Sequence, residues 1–368
     1  MKKVLTNNKL FTCIIIFFII SLLSIYSAQK ISSSSLGNIF IKQIIFYIIG
    51  CIVLFIAYFK KKEIIKYSLW LYIFFNVLLL VLLFLGVSIN GSRCWLLIGP
   101  ISLQPSEFMK IFLIILIAKV LNKYRSKKNI KKEFKMLLIV FLILLIPSIL
   151  TFLEPDTGVV IIYFIITISM ILYRGINKKW YLFILIILGI ISSIIVFLLI
   201  YKKDLLINFL DSSIFYRLDR LFNWQKQSGY QLENSIITIG SSGLIGYGIN
   251  NIPLYYPEAS TDFIFTTFSS IFGFIGNIIL FAIILIFDIN ILKIIKRKIK
   301  KTDEYILIGL FSMIFYQQIQ NIGMTIGLLP ITGITLPFIS YGGSSLLSYM
   351  FIIGLILRIS HDNSKYIN

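Results

Sequence analysis

The sequence predicts an all-α integral membrane protein of about ten transmembrane helices, with both termini cytoplasmic and one long extracellular insert. Apolar residues make up 58% of the 368 residues and charged residues 14%, less charge than a soluble domain carries. The mean hydropathy is +0.94. The basic residues are also distributed unevenly along the chain, as in multi-pass membrane proteins. We therefore interpret 1–368 as a single polytopic membrane domain.

Ten apolar stretches are long enough to cross a hydrocarbon core, which takes about 20 helical residues. The chain begins with Met1-Lys2-Lys3 and shows no small-x-small cleavage site near 26–30, so the first stretch is expected to be an uncleaved helix. The eighth is long for one span, which favours a tilt or a continuation into an interface helix. The stretches are 10–28, 38–59, 68–88, 106–122, 136–153, 157–173, 180–201, 262–292, 305–322 and 340–358.

The positive charge sets the expected topology. With the N-terminus inside, the inner segments hold 25 of the 35 Lys and Arg residues, and 123–135 alone holds seven. This is the positive-inside signature, so the net charge of +20 reflects membrane orientation and not a nucleic-acid partner. The three cysteines form no CxxC motif, and the single histidine, His361, lies near the C-terminus. Neither a disulfide framework nor a zinc site is expected.

The outer face receives every segment of unusual polar or Gly/Pro content: 89–105, the turn 153–158, the long insert 202–261 and the turn 323–339. A carrier with alternating access needs functional groups near mid-membrane and on both sides, so this one-sidedness favours work at the outer surface. The insert is too long for a plain connector. Its stretch ENSIITIG predicts a short amphipathic helix on the membrane surface, and a flexible loop is the alternative.

The stretch QPSEFMK places two ionisable residues at the start of the fourth span. Pro105 and Glu107 are typical of a helix opening, and Lys110 follows Glu107 by three residues on the same helix face. One interpretation is a capping Glu and a snorkelling Lys. The other is an ion pair facing a cavity, since charges within spans are costly and are retained for function. Just upstream, Trp95 beside Arg93 is either an interface anchor or part of a groove for a sugar or phosphate.

Acidic residues mark two further turns. In the turn LEPDTG, Asp156 is expected to cap the following helix, and together with Glu154 it is a weak candidate for a divalent cation. In STDFIF, Asp262 stands where the polar insert gives way to an apolar run. It either caps the next helix, with Ser260 or Thr261 as rivals, or acts as a general base whose pKa is raised by lost hydration.

The stretch NIGMTIGLLPITGITLPFISYGGSS breaks any regular helix with its Pro and Gly residues. Irregular backbone at membrane depth is tolerated only where it is buried in protein or lines a wet cavity. We therefore predict a cavity lined by Ser340, Gly342 and Gly343.

These motifs resemble, in order and spacing, those of the SEDS proteins (RodA, FtsW and SpoVE), from about Lys42-Gln43 to Arg358. The resemblance implies a ten-helix glycosyltransferase of the bacterial cytoplasmic membrane that polymerises lipid II into peptidoglycan, with a class B penicillin-binding protein as its transpeptidase partner. It also implies that Asp262 is essential, that Trp95 is needed for activity, and that Glu107 and Lys110 belong to a central cavity. The long insert and short tails favour a RodA-like role in elongation.

The chain departs from the family at four positions. Cys94 replaces the second of two arginines before the tryptophan, and Asn234 stands where a glutamine is common. Ser270 and Ile271 replace a usual Glu pair, which implies altered packing, altered cation use or a specialised paralogue.

In the mechanism expected, Asp262 deprotonates the acceptor 4-hydroxyl, which attacks C1 of the donor and displaces its diphosphate with inversion. Positive charge at the diphosphate comes from Arg93 and Lys110 or from a divalent cation (Mg or Mn), with Arg217 and Arg220 as weaker candidates. The alternatives are a lipid II flippase and a non-catalytic scaffold for the transpeptidase.

Overall fold

The computed structural model is mostly helical and carries one small sheet, and the elements below are numbered in chain order. The helices are α1 (Lys2–Ile31), α2 (Ile39–Lys66), α3 (Ser68–Leu85), α4 (Pro105–Lys123), α5 (Ile130–Leu153), α6 (Thr157–Arg174), α7 (Tyr230–Ser241), α8 (Ile264–Ile295), α9 (Lys301–Thr325) and α10 (Gly343–Asp362). The strands are β1 (Val87–Ile89), β2 (Ser92–Ile98) and β3 (Ile101–Leu103). The structure describes residues 2–31, 38–89, 92–98, 101–125, 129–183, 186, 189, 193, 229–297 and 299–362.

Seven of the described helices are long and apolar enough to cross a membrane: α1, α2, α3, α5, α6, α8 and α10. The predicted spans 106–122 and 305–322 also form helices, α4 and α9, which are not among these seven. Most of the predicted span 180–201 lies outside the described residues. These findings support a multi-pass membrane protein.

The central helix is α4. It buries most of its residues and contacts α3, α5, α6, α9, α10 and β2. Because α4 is surrounded by other helices, it can hold the charged side chains of Glu107 and Lys110 inside the protein. The outer helices α2, α3 and α5 instead expose Ile, Leu and Phe side chains along much of their length.

The small sheet corrects the prediction of an all-α fold. Strands β1, β2 and β3 pair antiparallel in that order, with Val87 opposite Trp95 and Leu96 opposite Leu103. A signal for the first hairpin is present in the sequence: Asn90-Gly91, a preferred two-residue hairpin loop, stands between the paired residues Ile89 and Ser92. The sheet brings β2 against α3 and α4.

The long eighth span is interrupted, where the sequence predicted a tilt or a continuation into an interface helix. Helix α8 has non-helical backbone at Gly273, which separates a short first part from the apolar remainder. The predicted amphipathic helix of the insert is present as α7 and packs against α8. The part of the insert before residue 229 lies outside the described residues.

The described elements define two ends of the molecule. The motif end contains the sheet, the start of α4, α6, α8 and α10, and the irregular segment 326–342. The basic end contains the C-termini of α2, α4, α6 and α10 with the N-terminus of α9, which meet through contacts such as Lys61–Asp303 and Arg174–Tyr124. The segments predicted to be functional therefore gather at one end, and the basic segments at the other.

Candidate functional site at the motif end

The charged pair at the start of α4 is fully enclosed. Helix α4 begins at Pro105 with Glu107 in its first turn, as predicted. Lys110 Nζ donates to Glu107 Oε1 at 2.7 Å, and Lys110 is 0% exposed. The snorkelling interpretation is therefore wrong, because the ammonium group points into protein. The other carboxylate oxygen, Glu107 Oε2, accepts from Ser348 Oγ of α10 at 3.2 Å.

The EPDTG turn places two carboxyl groups beside this pair. Asp156 caps α6, as predicted, by accepting from the Val159 amide at 3.2 Å, and it also accepts from Gln104 Nε2 at 2.8 Å. Glu154 is fully buried, and neither of its carboxylate oxygens has a hydrogen-bond partner among the described residues. Burial and the nearby Asp156 raise the pKa of Glu154 to about 9, and burial raises the pKa of Asp156 to about 6.

Strand β2 presents a thiol to these acids. Cys94 is buried, and burial together with the charges of Asp156 and Glu154 raises its pKa well above the usual value. Cys94, one of the departures from the family, is therefore a buried residue close to these two acids. Trp95 is half-buried and its backbone pairs with β1. Arg93 lies in β2, but its side chain falls outside the described part of the chain.

Asp262 lies in the turn before α8 and is half-buried. The N-cap position of α8 is Phe263, which makes no side-chain capping bond, so Asp262 lies one residue before the N-cap position. Asp262 Oδ2 lies 3.5 Å from the point that a Cβ at Gly333 would occupy. The φ of Gly333 is +70°, a value that favours glycine, so the segment approaches the carboxylate at a residue without a side chain.

The irregular segment 326–342 enters the protein interior, as expected for non-helical backbone at membrane depth. Phe338 is buried and packs against Phe17 and Phe287. The three carbonyl groups of residues 338–340 accept hydrogen bonds from α1 and α2. The donors are Tyr47 to Phe338, Ser21 to Ile339 at 2.8 Å and Gln43 to Ser340 at 3.3 Å.

The same segment joins the two groups of candidate residues. On one side it borders Asp262 through Gly333. On the other, a Cβ at Gly158 would come within 2.6 Å of the Thr332 carbonyl, so the segment rests on the start of α6 beside Asp156. Tyr349 of α10 also contacts the segment, since its hydroxyl lies 3.2 Å from Thr335 Oγ1. Asp262 and the Glu107–Lys110 pair are therefore linked through this segment.

The predicted cavity residues have different surroundings. Ser340 is buried and its hydroxyl is fully engaged in hydrogen bonds. Gly342 and Gly343 are half-buried at the start of α10. A Cβ at Gly343 would lie 2.8 Å from Phe46, so a small residue there permits close packing against α2.

Sequence reasoning missed the polar face of α9. Gln317 donates to Tyr349 Oη at 2.9 Å and Gln320 to the Pro330 carbonyl at 2.8 Å. Asn321 donates to the carbonyls of Asp262 and Ile334. Four amide side chains within 317–321 of an apolar span were the available signal, because polar groups at membrane depth need partners.

Among the remaining departures from the family, the buried Ser270 hydroxyl has no hydrogen-bond partner among the described residues. Ser270 and Ile271 are buried, and their carbonyls accept from the amides of Tyr247 and Gly248 at 2.8 and 3.1 Å. Asn234 donates to the Tyr255 carbonyl at 2.8 Å. Arg217 and Arg220 lie outside the described residues.

Within the described ranges, no group of three or more His, Cys, Asp or Glu residues is arranged to hold a metal ion. Glu154 and Asp156 alone are too few ligands for a protein-built divalent site.

Comparison with known proteins identifies a family for this architecture. Residues 7–365 match the FtsW/RodA/SpoVE family, described as cell cycle protein. The chain is 34% identical to the probable peptidoglycan glycosyltransferase FtsW of Coxiella burnetii, covering 96% of this chain and 95% of the relative. It is 31% identical to stage V sporulation protein E of Bacillus subtilis, covering 98% of each chain.

Solved structures show the same fold. RodA of Thermus thermophilus superposes with a TM-score of 0.68 at 22% identity, covering 96% of each chain. A chain of a peptidoglycan synthase complex that coordinates polymerisation and crosslinking superposes with a TM-score of 0.78 at 21% identity, covering 96% of this chain and 97% of the other.

Proposed function

The chain belongs to the FtsW/RodA/SpoVE family of cell cycle proteins, and from this premise we propose that it polymerises lipid II into glycan strands at the outer face of the bacterial cytoplasmic membrane. It is a peptidoglycan glycosyltransferase, in keeping with the names of its curated relatives. The observation that carries the proposed site is the half-buried Asp262 carboxyl, which lies at the motif end beside the exposed Gly333 of the irregular segment.

In the proposed reaction, Asp262 is the general base. It takes the proton of the acceptor sugar's 4-hydroxyl while that oxygen attacks C1 of the donor sugar. The C1–O bond to the diphosphate breaks, and the anomeric centre is inverted. Asp262 is suited to this task because it is partly accessible and because its backbone is fixed by hydrogen bonds.

The leaving diphosphate needs positive charge, which we assign to Arg93 beside Trp95 in β2. Lys110 contributes differently from the expectation, because its ammonium group is enclosed and paired with Glu107. We propose that this pair shapes the electrostatics of the site without touching the diphosphate. Gly342 and Gly343 are proposed to border the substrate. No step is assigned to Mg or Mn, and a requirement for either cation stays a prediction.

The test is polymerisation of labelled lipid II by the purified protein in liposomes, with Asp262→Asn as the variant. Loss of a general base lowers a rate by about 10²- to 10⁴-fold. Glu63→Gln, an exposed acid at the basic end, is the matched control and should keep the normal rate. Normal polymerisation by Asp262→Asn defeats the assignment. Repeating the assay with EDTA and with added Mg or Mn determines the cation requirement.

The finer topology is also part of the proposal: ten crossings, both termini cytoplasmic and Asp262 outside. In intact cells, a cysteine at position 262 should react with a membrane-impermeant maleimide, whereas a cysteine at Lys60 should not. The native Cys13 and Cys94 are buried, and Cys51 lies on the outward side of α2, so a Cys51→Ser background is suitable. Labelling at position 60 without labelling at 262 reverses the topology.

A protein partner is proposed from the structural comparison. A structural neighbour is part of a complex that coordinates polymerisation with crosslinking. We infer that this chain works with a class B penicillin-binding protein as the crosslinking enzyme, in a RodA-like role in elongation.

A further inference from the structure

The turn that carries Asp262 is fixed by an unusual row of hydrogen bonds. Three consecutive backbone carbonyls, those of residues 260–262, each accept one bond from a distant part of the chain. The Tyr341 amide donates to Ser260 at 2.8 Å, Ser340 Oγ to Thr261 at 2.6 Å, and Asn321 Nδ2 to Asp262 at 2.8 Å. Two of these three donors are side chains and can be removed by substitution.

Both side-chain donors make a second bond to the buried segment. Asn321 Nδ2 also donates to the Ile334 carbonyl at 2.8 Å, and Ser340 Oγ accepts from the Leu336 amide at 2.9 Å. Asn321 is 0% exposed and Ser340 is 4% exposed. One buried amide therefore joins the carbonyl of Asp262 to a residue adjacent to Gly333, the point where the segment meets the Asp262 carboxylate.

The position of a carboxylate depends on its own backbone, and here that backbone is held from outside the turn. The carbonyls of residues 338–340 are in turn bound by Tyr47, Ser21 and Gln43 of α1 and α2. The Asp262 turn is thus held in place by the segment, which α1 and α2 bind, and by Asn321 of α9. A catalytic group displaced by about 1 Å loses up to about 10²-fold in rate.

We propose that Asn321 and Ser340 are positioning residues that set the Asp262 carboxylate for proton abstraction, an inference that rests on the proposed function. They act through the backbone of residues 261 and 262 and not by contact with substrate. Their loss therefore lowers kcat and leaves KM for lipid II nearly unchanged.

The experiment measures kcat and KM for lipid II polymerisation with Asn321→Ala, Ser340→Ala and the double variant. Each single substitution should lower kcat by about 10- to 10²-fold, with KM within about threefold of the parent protein. Ser340→Thr and Asn321→Gln keep a donor and should recover at least part of the lost rate. Because both donors hold one turn, the double variant should cost less than the product of the single effects.

Two controls separate positioning from general support of the segment. Gln320→Ala removes a buried amide of α9 that binds the Pro330 carbonyl but does not touch residues 260–262. Ser345→Ala removes a hydroxyl bound within its own turn. Both should keep kcat within about threefold.

Several outcomes overturn the inference. These are unchanged kcat in Asn321→Ala and Ser340→Ala, a loss expressed mainly in KM, or an equal loss in Gln320→Ala. Size-exclusion profiles identify a variant that fails to fold; Ser340→Ala, which removes a single oxygen, then carries the test. The proposed function fails separately, if Asp262→Asn remains active.

Discussion

The two ends of this protein bury charge in different ways. At the basic end, acids and bases are matched: Lys61 binds Asp303 at 2.8 Å and Asp362 at 3.1 Å, and Asp362 also binds Arg358 at 2.9 Å. Glu304 pairs with Lys301 at 2.7 Å and also accepts from Tyr173. Among the described side chains, Asp303, Asp362 and Glu304 are thus each paired with Lys or Arg, and the buried Glu133 of α5 accepts from the Asn177 amide at 3.2 Å.

At the motif end, acidic side chains outnumber their basic partners. Its one buried ion pair is Glu107–Lys110, within the described residues, and the further carboxyl groups of Glu154 and Asp156 lie beside it. Asp156 caps α6, but Glu154 has no hydrogen-bond partner among the described residues, and an unpaired buried acid costs free energy. From this comparison we infer that matched charge at the basic end holds helices together, and we propose that the motif end, where the proposed site lies, keeps its excess acid for chemistry.

The largest effect that tests this comparison is expected from Lys110→Met. It leaves Glu107 buried without its cation, which costs about 3–5 kcal/mol when one partner of a buried pair is removed. The double variant Glu107→Gln/Lys110→Met removes both charges and should recover most of the thermal stability in detergent. Its polymerisation rate should stay at least about 10-fold below the parent, because we assign the pair to the site.

The matched substitution at the basic end is Lys61→Met/Asp303→Asn. Lys61→Met alone should destabilise for the same reason, and the double variant should recover both thermal stability and polymerisation. If the folded basic-end variant loses polymerisation as completely as the motif-end variant does, the division into a structural and a chemical end is wrong.

The sequence was most informative where local chemistry decides structure. Apolar runs predicted the helices, Pro105 and Glu107 predicted the start of α4, and Asp156 predicted the cap of α6. Each of these depends on residues within a few positions of one another, so no tertiary information was needed.

The sequence was least informative where distant segments meet. The bond from Asn321 to the Asp262 carbonyl joins residues 59 positions apart, and that from Ser340 to Thr261 joins residues 79 apart. Lys61 was expected only as a topological charge, and its partner Asp303 lies 242 positions away.

Glu154→Gln is expected to have a pH-dependent effect, close to zero near pH 5, that is specific to the motif end. The ordinary pKa of the Glu154 carboxyl is 4.5, and burial with the nearby Asp156 raises it to about 9 in the folded protein. Between these values the folded state keeps a proton that the unfolded chain has lost. Stability must therefore fall as pH rises through this window, by at most about 1.4 kcal/mol per pH unit.

Glutamine lacks this titration, so the variant should match the parent in melting temperature near pH 5 and exceed it at pH 8. The measurement is thermal unfolding in detergent across pH 5 to 9, with Glu63→Gln as the exposed control whose profile should follow the parent. Asp156, with a pKa of about 6, adds a narrower window in both proteins. Parallel profiles for parent and Glu154→Gln would mean that Glu154 is paired after all, and the motif end would then be as balanced as the basic end.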